Sequence, residues 1–416
     1  MLMNFSSSQK LYLIAFVSLF FKIIIVFFFH EKALTDEWSI LFNNFYKVKF
    51  FSYYNFENLY VPTSYMPPLY FFFILFCKYV SFEIFNYLYI IYFFQLLIST
   101  LSIFVFFNFC KKFLCNDNFC LFGVLIFSFF PLIVIATALI SSATLQIYLY
   151  LIVINYFLDL VDEKKTNLIK ISVVSSLCLL LRGEFIIIFI FSLIFIAILK
   201  KKNLSKCLLI FLITTLIISP YLLRNYLNTG KVHIVNVSGY ALWKGNNHLS
   251  RAEGFANPLH PNSRNKWPTD PKFERLYLKL DNIKKDKNYE INRDSVFLDE
   301  AINNIIDNKS KYFKLYLNKL FSFYFIDLNS SYPHYYNIFN IAPLIIVSFL
   351  SVPTFILSLK VFKTKNYKLA YLTLIIIILT FTLSIFNILP RYKVSIISIQ
   401  ILYSLLFLSK FFQKTK

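Results

Sequence analysis

The first residues in this chain with the means to do chemistry are a carboxylate pair, Asp36 and Glu37. They stand in "TDEWSILFNNFYK" (residues 35–47), directly after an apolar run that ends "IIIVFFFHEK". A carboxylate held at a membrane edge and partly dehydrated gains the basicity to take a proton from a hydroxyl nucleophile. The same residues also suit a helix start, with Thr35 or Asp36 capping "EWSILFNNFY". The residues alone leave both readings open.

Four other stretches place polar groups at the ends of apolar runs. "SPYLLRNYLNTGK" (219–231) ends one with Arg224, a residue type that pairs bidentately with phosphate and equally well anchors lipid headgroups. "LLRGEF" (180–185) sets Arg182 and Glu184 between two apolar runs, where charges either serve function or cap a tight hairpin. "NILPRYK" (387–393) carries Arg391 and Tyr392. "LWKGNNHLSRAEGF" (242–255) gathers Lys244, Asn246 and Asn247 around Gly245, as a tight turn does. Amide and ammonium groups there also suit sugar hydroxyls.

The elements that must position these groups are membrane helices. The chain has 416 residues, 58% hydrophobic, with Phe 52 and Tyr 29, more apolar surface than a soluble domain of that length buries. Leu11 to Phe29 is broken only by Lys22 and reaches roughly 28 Å, the thickness of a bilayer core. It reads as a retained first helix, since no small-residue cleavage site follows it. Further spans are expected at about 86–109, 119–138, 142–159, 168–182, 184–199, 204–223, 336–360, 368–388 and 392–411. Ten spans place Lys111, Lys112, Lys164, Lys165, Lys200 to Lys202, Lys360, Lys363, Lys365 and Lys368 on one side with both termini, which makes that side cytoplasmic. This parity requires "PPLYFFFILFCKYV" (67–80) to be a re-entrant or interfacial helix on the outer side.

The expected architecture is therefore an all-α polytopic membrane protein. An N-terminal membrane domain (1–224) contains a first outer loop (30–66) and the 67–80 segment. A small α+β extracytoplasmic domain (225–335) and C-terminal membrane helices (336–416) follow. In the outer domain "KVHIVNV" reads as β-like. Phe297, Ala301 and Ile305, then Tyr312, Tyr316 and Leu320, keep helical spacing that suits helices lying on a membrane surface. The formal charge of +21 lies mostly in the short Lys-bearing loops, so it argues for topology and membrane lipids rather than nucleic acid. Richness in Phe, Ile, Lys, Asn and Tyr beside 6 Gly is the drift of an AT-rich genome. The six cysteines and five histidines (30, 233, 248, 260 and 334) show neither disulfide nor zinc spacing.

Taken in order, these stretches resemble the GT-C-type membrane glycosyltransferases, in the branch of the protein O-mannosyltransferases and the bacterial lipid A aminoarabinose transferase. The matching positions are Asp36–Glu37 after the first span, Pro67–Pro68–Leu69–Tyr70, "PYLLRNYLNTGK" with Tyr221 where Trp is usual, Leu242 to Asn247, and Arg391–Tyr392. The prolines that commonly follow the Arg-Tyr pair are missing from "RYKVSIISIQ". The resemblance implies inverting transfer of a sugar, hexosyl or pentosyl, from a polyprenyl phosphate to an acceptor on glycan, lipid or protein. The site would lie on the periplasmic, extracytoplasmic face of a bacterial cytoplasmic (inner) membrane. Asp36 would be the general base, with Glu37 orienting it or supporting a divalent metal. Arg391, Arg224, Arg182 and Tyr392 would hold the leaving lipid phosphate, and Lys244, Asn246 and Asn247 the substrate. No nucleotide-binding loop is visible, which fits a lipid-linked donor. A surface-polysaccharide ligase or polymerase would centre on paired arginines in a large outer loop. A transporter would show broken, polar helices near the midplane, whereas the conspicuous charges here sit at the outer ends of the spans.

Overall fold

The computed structural model describes residues 6–57, 59–255, 259–332, 335–360 and 366–413. Lys363, Lys365 and His334 lie outside the described residues, and of Asp36 only the backbone is described.

The apolar runs are helices because nothing in them offers the backbone another partner, and their ends carry recognisable stops. The first helix, α1 (Ser7–Phe29), opens with a capping box in which Ser6 N donates to Gln9 Oε1 at 2.8 Å and Gln9 N to Ser6 Oγ at 3.3 Å. Its packed stripe is Leu11, Ala15, Ser18, Lys22 and Val26, and the buried Lys22 Nζ donates to Ser99 Oγ at 2.8 Å. That bond ties α1 to α4 (Tyr87–Lys111). A bent pair follows, α5 (Asp117–Ser128) and α6 (Pro131–Ala138), meeting at 45° where Pro131 restarts the helix. Then come α7 (Ala143–Val161), α8 (Leu168–Leu181), α9 (Phe185–Leu199) and α10 (Leu204–Thr229), the last stopped by Gly230 at φ 72°.

Each expected span is thus helical, but their lengths differ. Among the described residues, six helical segments are long and apolar enough to cross a bilayer, or seven with the bent pair as one. The short apolar helices are α3 (Pro68–Val80), α8, α9 and the later α16 (Tyr367–Leu383), of 13, 14, 15 and 17 residues. The long C-terminal ones are α15 (Ile338–Leu359) and α17 (Val394–Gln413).

Outside the membrane helices the secondary structure departs from expectation in one respect. "KVHIVNV" contains no strand, and the described part of 225–335 is helical. It comprises α11 (Ser238–Gly245), α12 (Glu274–Asp281), α13 (Tyr289–Asp307) and α14 (Lys309–Tyr324), with short 3₁₀ turns. The strands belong to the first loop, where β1 (Ser52–Phe56) pairs antiparallel with β2 (Leu59–Pro62) after the short helix α2 (Asp36–Val48). Segment 231–237 meets the first loop through one backbone bond, from Asn236 N to the Ser64 carbonyl, and takes no strand conformation, whereas the first loop folds back on itself and supplies both strands. Residues 238–301 pack a separate core of Tyr240, Trp243, Phe273, Leu276, Phe297 and Ala301. Phe297 and Ala301 therefore face inward, correcting the expectation that their stripe lies on the membrane.

Candidate functional site

Asp36 is the first residue of α2. Thr35 occupies the N-cap position but makes no side-chain capping bond. One residue on, Glu37 comes within electrostatic reach of Tyr65 and Tyr240, whose hydroxyl pKa values are pushed up chiefly by burial and further by this carboxylate. The helix is anchored by Trp38, buried edge-on against Tyr70 with ring centres 4.9 Å apart. At its far end Asn44 Nδ2 donates to the carbonyls of Ser52 and Tyr53, at 3.2 and 3.3 Å. The carboxylate pair therefore rides on the hairpin, and the chain that follows the hairpin is held in turn by α13.

That hold is a buried polar cluster on α13. Glu290 accepts Ser64 N at 2.9 Å, Ser64 Oγ at 2.8 Å and the hydroxyl of Thr63. Burial pushes its pKa up, while these donors and Arg224 pull it back. Ser64 Oγ also pairs with His233 Nε2 at 2.7 Å, and burial lowers the pKa of that imidazole. One turn further along α13, Arg293 donates to Tyr54 Oη at 3.1 Å and to the Leu259 carbonyl. Asp294 accepts the backbone N–H groups of Gly239 and Tyr240, both at 2.9 Å. In sequence these residues appear only as "YEINRDSVF", three charges at i, i+3 and i+4. The signal for them was a charged stripe on a helix whose neighbouring positions are apolar.

The arginines divide into two kinds. Arg224 Nη1 donates to the Thr63 carbonyl at 2.5 Å and to Asn225 Oδ1 at 2.9 Å, and Nη2 to the Phe51 carbonyl at 3.0 Å. Its guanidinium thus ties α10 to the first loop through the Thr63 and Phe51 carbonyls. Arg182, at the end of α8, has a buried Nε without a hydrogen-bond partner among the described residues. That Nε lies 3.9 Å from Glu184 Oε1. Arg182, Glu184 and Arg391 all lie within electrostatic reach of Tyr392. Segment 231–237 joins this cluster to the first loop, for Asn236 N donates to the Ser64 carbonyl at 3.0 Å. Next to it, Val235 packs where a Cβ on Gly183 would come within 2.9 Å.

The Lys244–Asn247 turn is where structure and expectation part furthest. Asn246 Nδ2 donates to the carbonyls of Leu242 and Ile385 at 2.8 and 2.9 Å, and its Oδ1 accepts Lys319 Nζ at 3.1 Å. Asn247 is fully buried, bonded to the Trp243 carbonyl and the Leu249 amide. Both amides are thus structural rather than open to substrate. Burial lowers the Lys319 pKa to about 7, and its Nζ also holds the Gly245 carbonyl at 2.8 Å. Gly245 lies so close to the Phe386–Asn387 backbone that a Cβ would come within 2.6 Å of it. The turn thereby braces the strand of chain that leads to Arg391.

No protein family and no curated protein matches the chain by sequence. Solved structures do match by shape. The Archaeoglobus fulgidus oligosaccharyltransferase in its apo form superposes with TM-score 0.57 and 14% identity over 99% of this chain and 51% of that one. Its complex with Zn and sulfate gives TM-score 0.55, 11% identity, and 97% and 49% coverage. The same enzyme tethered to an acceptor peptide containing the NVT sequon gives TM-score 0.57 and 13% identity, covering 99% of this chain and 50% of that one. This chain has a GT-C-like fold. It spans about half the length of the oligosaccharyltransferase it matches.

Proposed function

We propose that the chain is a membrane glycosyltransferase that moves a sugar from a polyprenyl phosphate to an acceptor hydroxyl at the outer face of the cytoplasmic membrane. The observation that carries the reading is that one run of contacts links a carboxylate-bearing helix to an arginine pair. It passes from α2 through the hairpin and Ser64 to Asn236, then by way of Val235 to Gly183 beside Arg182, which together with Arg391 lies within electrostatic reach of Tyr392. The GT-C-like fold supports it.

In this reading the Asp36 carboxylate takes the proton of the acceptor hydroxyl as its oxygen attacks the anomeric carbon. The bond from that carbon to the phosphate oxygen breaks, the electron pair leaves with the lipid phosphate, and the configuration inverts. Glu37 orients the base. Arg182 and Arg391 stabilise the charge that grows on the leaving phosphate, and Tyr392 flanks them. Lys244 remains the candidate for contact with substrate from the turn. The acceptor is a glycan, a lipid or a protein, the last supported by the peptide tethered to the structural neighbour. That neighbour was solved in complex with Zn and sulfate, and among the described residues, which leave out the Asp36 side chain, no three His, Cys, Asp or Glu side chains converge.

The test is transfer of radiolabelled sugar from total polyprenyl-phosphate-sugar extracts in membranes carrying the wild type or Asp36→Asn. Product in the wild type and its loss in the correctly inserted variant is the expected result. Equal product from both removes Asp36 as the base, and none from either removes the donor assignment.

A further inference from the structure

The outer helix α14 presents an apolar stripe to the exterior. Phe313, Leu317 and Phe321 recur every four residues and are 62, 47 and 38% exposed. At 100° per residue they share one face, with the exposed Lys309 and Lys314 on its two edges. The opposite face is packed, with Tyr312, Lys319 and Phe323 buried.

This stripe is continuous with surfaces of the apolar helices α15 and α16. Tyr316 Oη donates to the carbonyl of Phe381 at 3.1 Å, close to the exposed outer end of α16. The Phe321 ring lies 4.9 Å from that of Phe325, which lies 5.0 Å from that of Phe349, an exposed residue of α15. An apolar face that runs without a break into membrane helices and is edged by lysines has the chemistry of the lipid–water boundary.

We propose that α14 lies in the headgroup layer of the outer leaflet, with Phe313, Leu317 and Phe321 among acyl chains and Lys309 and Lys314 at the level of lipid phosphate. Its partner on this face is phospholipid. From the opposite face Lys319 holds the Gly245–Asn246 turn, so lipid contact sets the height of that turn above the bilayer. The inference stands apart from any catalytic role.

The experiment uses the full chain reconstituted in phosphatidylcholine–phosphatidylglycerol vesicles, with Cys115→Ser to remove the exposed cysteine among the six. A nitroxide is attached at Phe313→Cys, Leu317→Cys or Phe321→Cys in turn, with Phe349→Cys and the exposed Lys272→Cys as lipid and water references. Faster relaxation by oxygen than by a water-soluble nickel chelate, approaching the ratio at position 349, is expected at all three sites. A ratio like that at position 272 overturns the proposal. So does an immobilised label that neither agent reaches, which would place protein, such as a second copy of the chain, on this face.

Discussion

Replacing Glu290 by alanine strips an ionised acceptor from three donors at once, the Ser64 N–H, the Ser64 hydroxyl and the Thr63 hydroxyl. A hydrogen bond to a charged group contributes about 1.5–3 kcal/mol. The cost of burying the carboxylate, seen in its raised pKa, offsets part of the sum, leaving a net loss of about 3 kcal/mol. At 1.4 kcal/mol per tenfold, local opening of the loop at Ser64 becomes about a hundredfold more frequent. Amide hydrogen exchange at Ser64 in the reconstituted protein reads this directly. Because the folded-state pKa lies above the unfolded value, Glu290 in the wild type destabilises the fold increasingly as pH rises from about 4.5 through the folded pKa, and the effect is level above it. Glu290→Gln removes that slope while keeping an acceptor for Ser64. Unchanged Ser64 exchange in Glu290→Ala would refute the idea that α13 holds the first loop.

Arg224→Ala leaves two loop carbonyls without their charged donor and should lower thermal stability by about 3 kcal/mol. Arg182→Ala breaks no described hydrogen bond and should change stability by less than about 1 kcal/mol while weakening retention of polyprenyl phosphate, which a binding assay beside a melting curve separates. Gly245→Ala drives a methyl into the Phe386–Asn387 backbone, and a loss of about 2–3 kcal/mol is expected in thermal denaturation. Burial and Arg293 hold the His260 pKa down at about 4, so the imidazole should stay neutral in an NMR titration to pH 5. A folded pKa below the unfolded one makes its contribution to stability fall as pH drops from about 6.5 towards 4, by of order 2 kcal/mol, and His260→Phe should abolish that fall.

The membrane helices were legible because a long apolar run has one way to satisfy its backbone in lipid. The bend at Pro131 was not, since the unbroken apolar run over 119–138 does not report where a helix restarts, whereas the short extents of α8 and α9 match the expected spans 168–182 and 184–199 to within a residue. Residues 231–237 read as β-like because Val-rich alternation marks strands, while the actual strands, "SYYNF" and "LYVP", are aromatic and uneven. Glu290 escaped notice for a different reason. Its partner Thr63 lies 227 residues away, and no local pattern records such a pairing. Asn246 and Asn247 looked like ligands for substrate, but a buried amide serves equally well to knit a turn, and the two uses look alike in sequence.

The brevity of α8 and α9 has a mechanical consequence. Helices of 14 and 15 residues extend only about 21–23 Å, against roughly 30 Å for a hydrocarbon core. A hairpin that enters from the lysine-rich side therefore turns at Arg182 and Glu184 below the level of the surrounding headgroups. Such hydrophobic mismatch is relieved by local thinning of the leaflet. On the proposed function, such a dimple would draw the donor's lipid phosphate down to the Arg182 guanidinium.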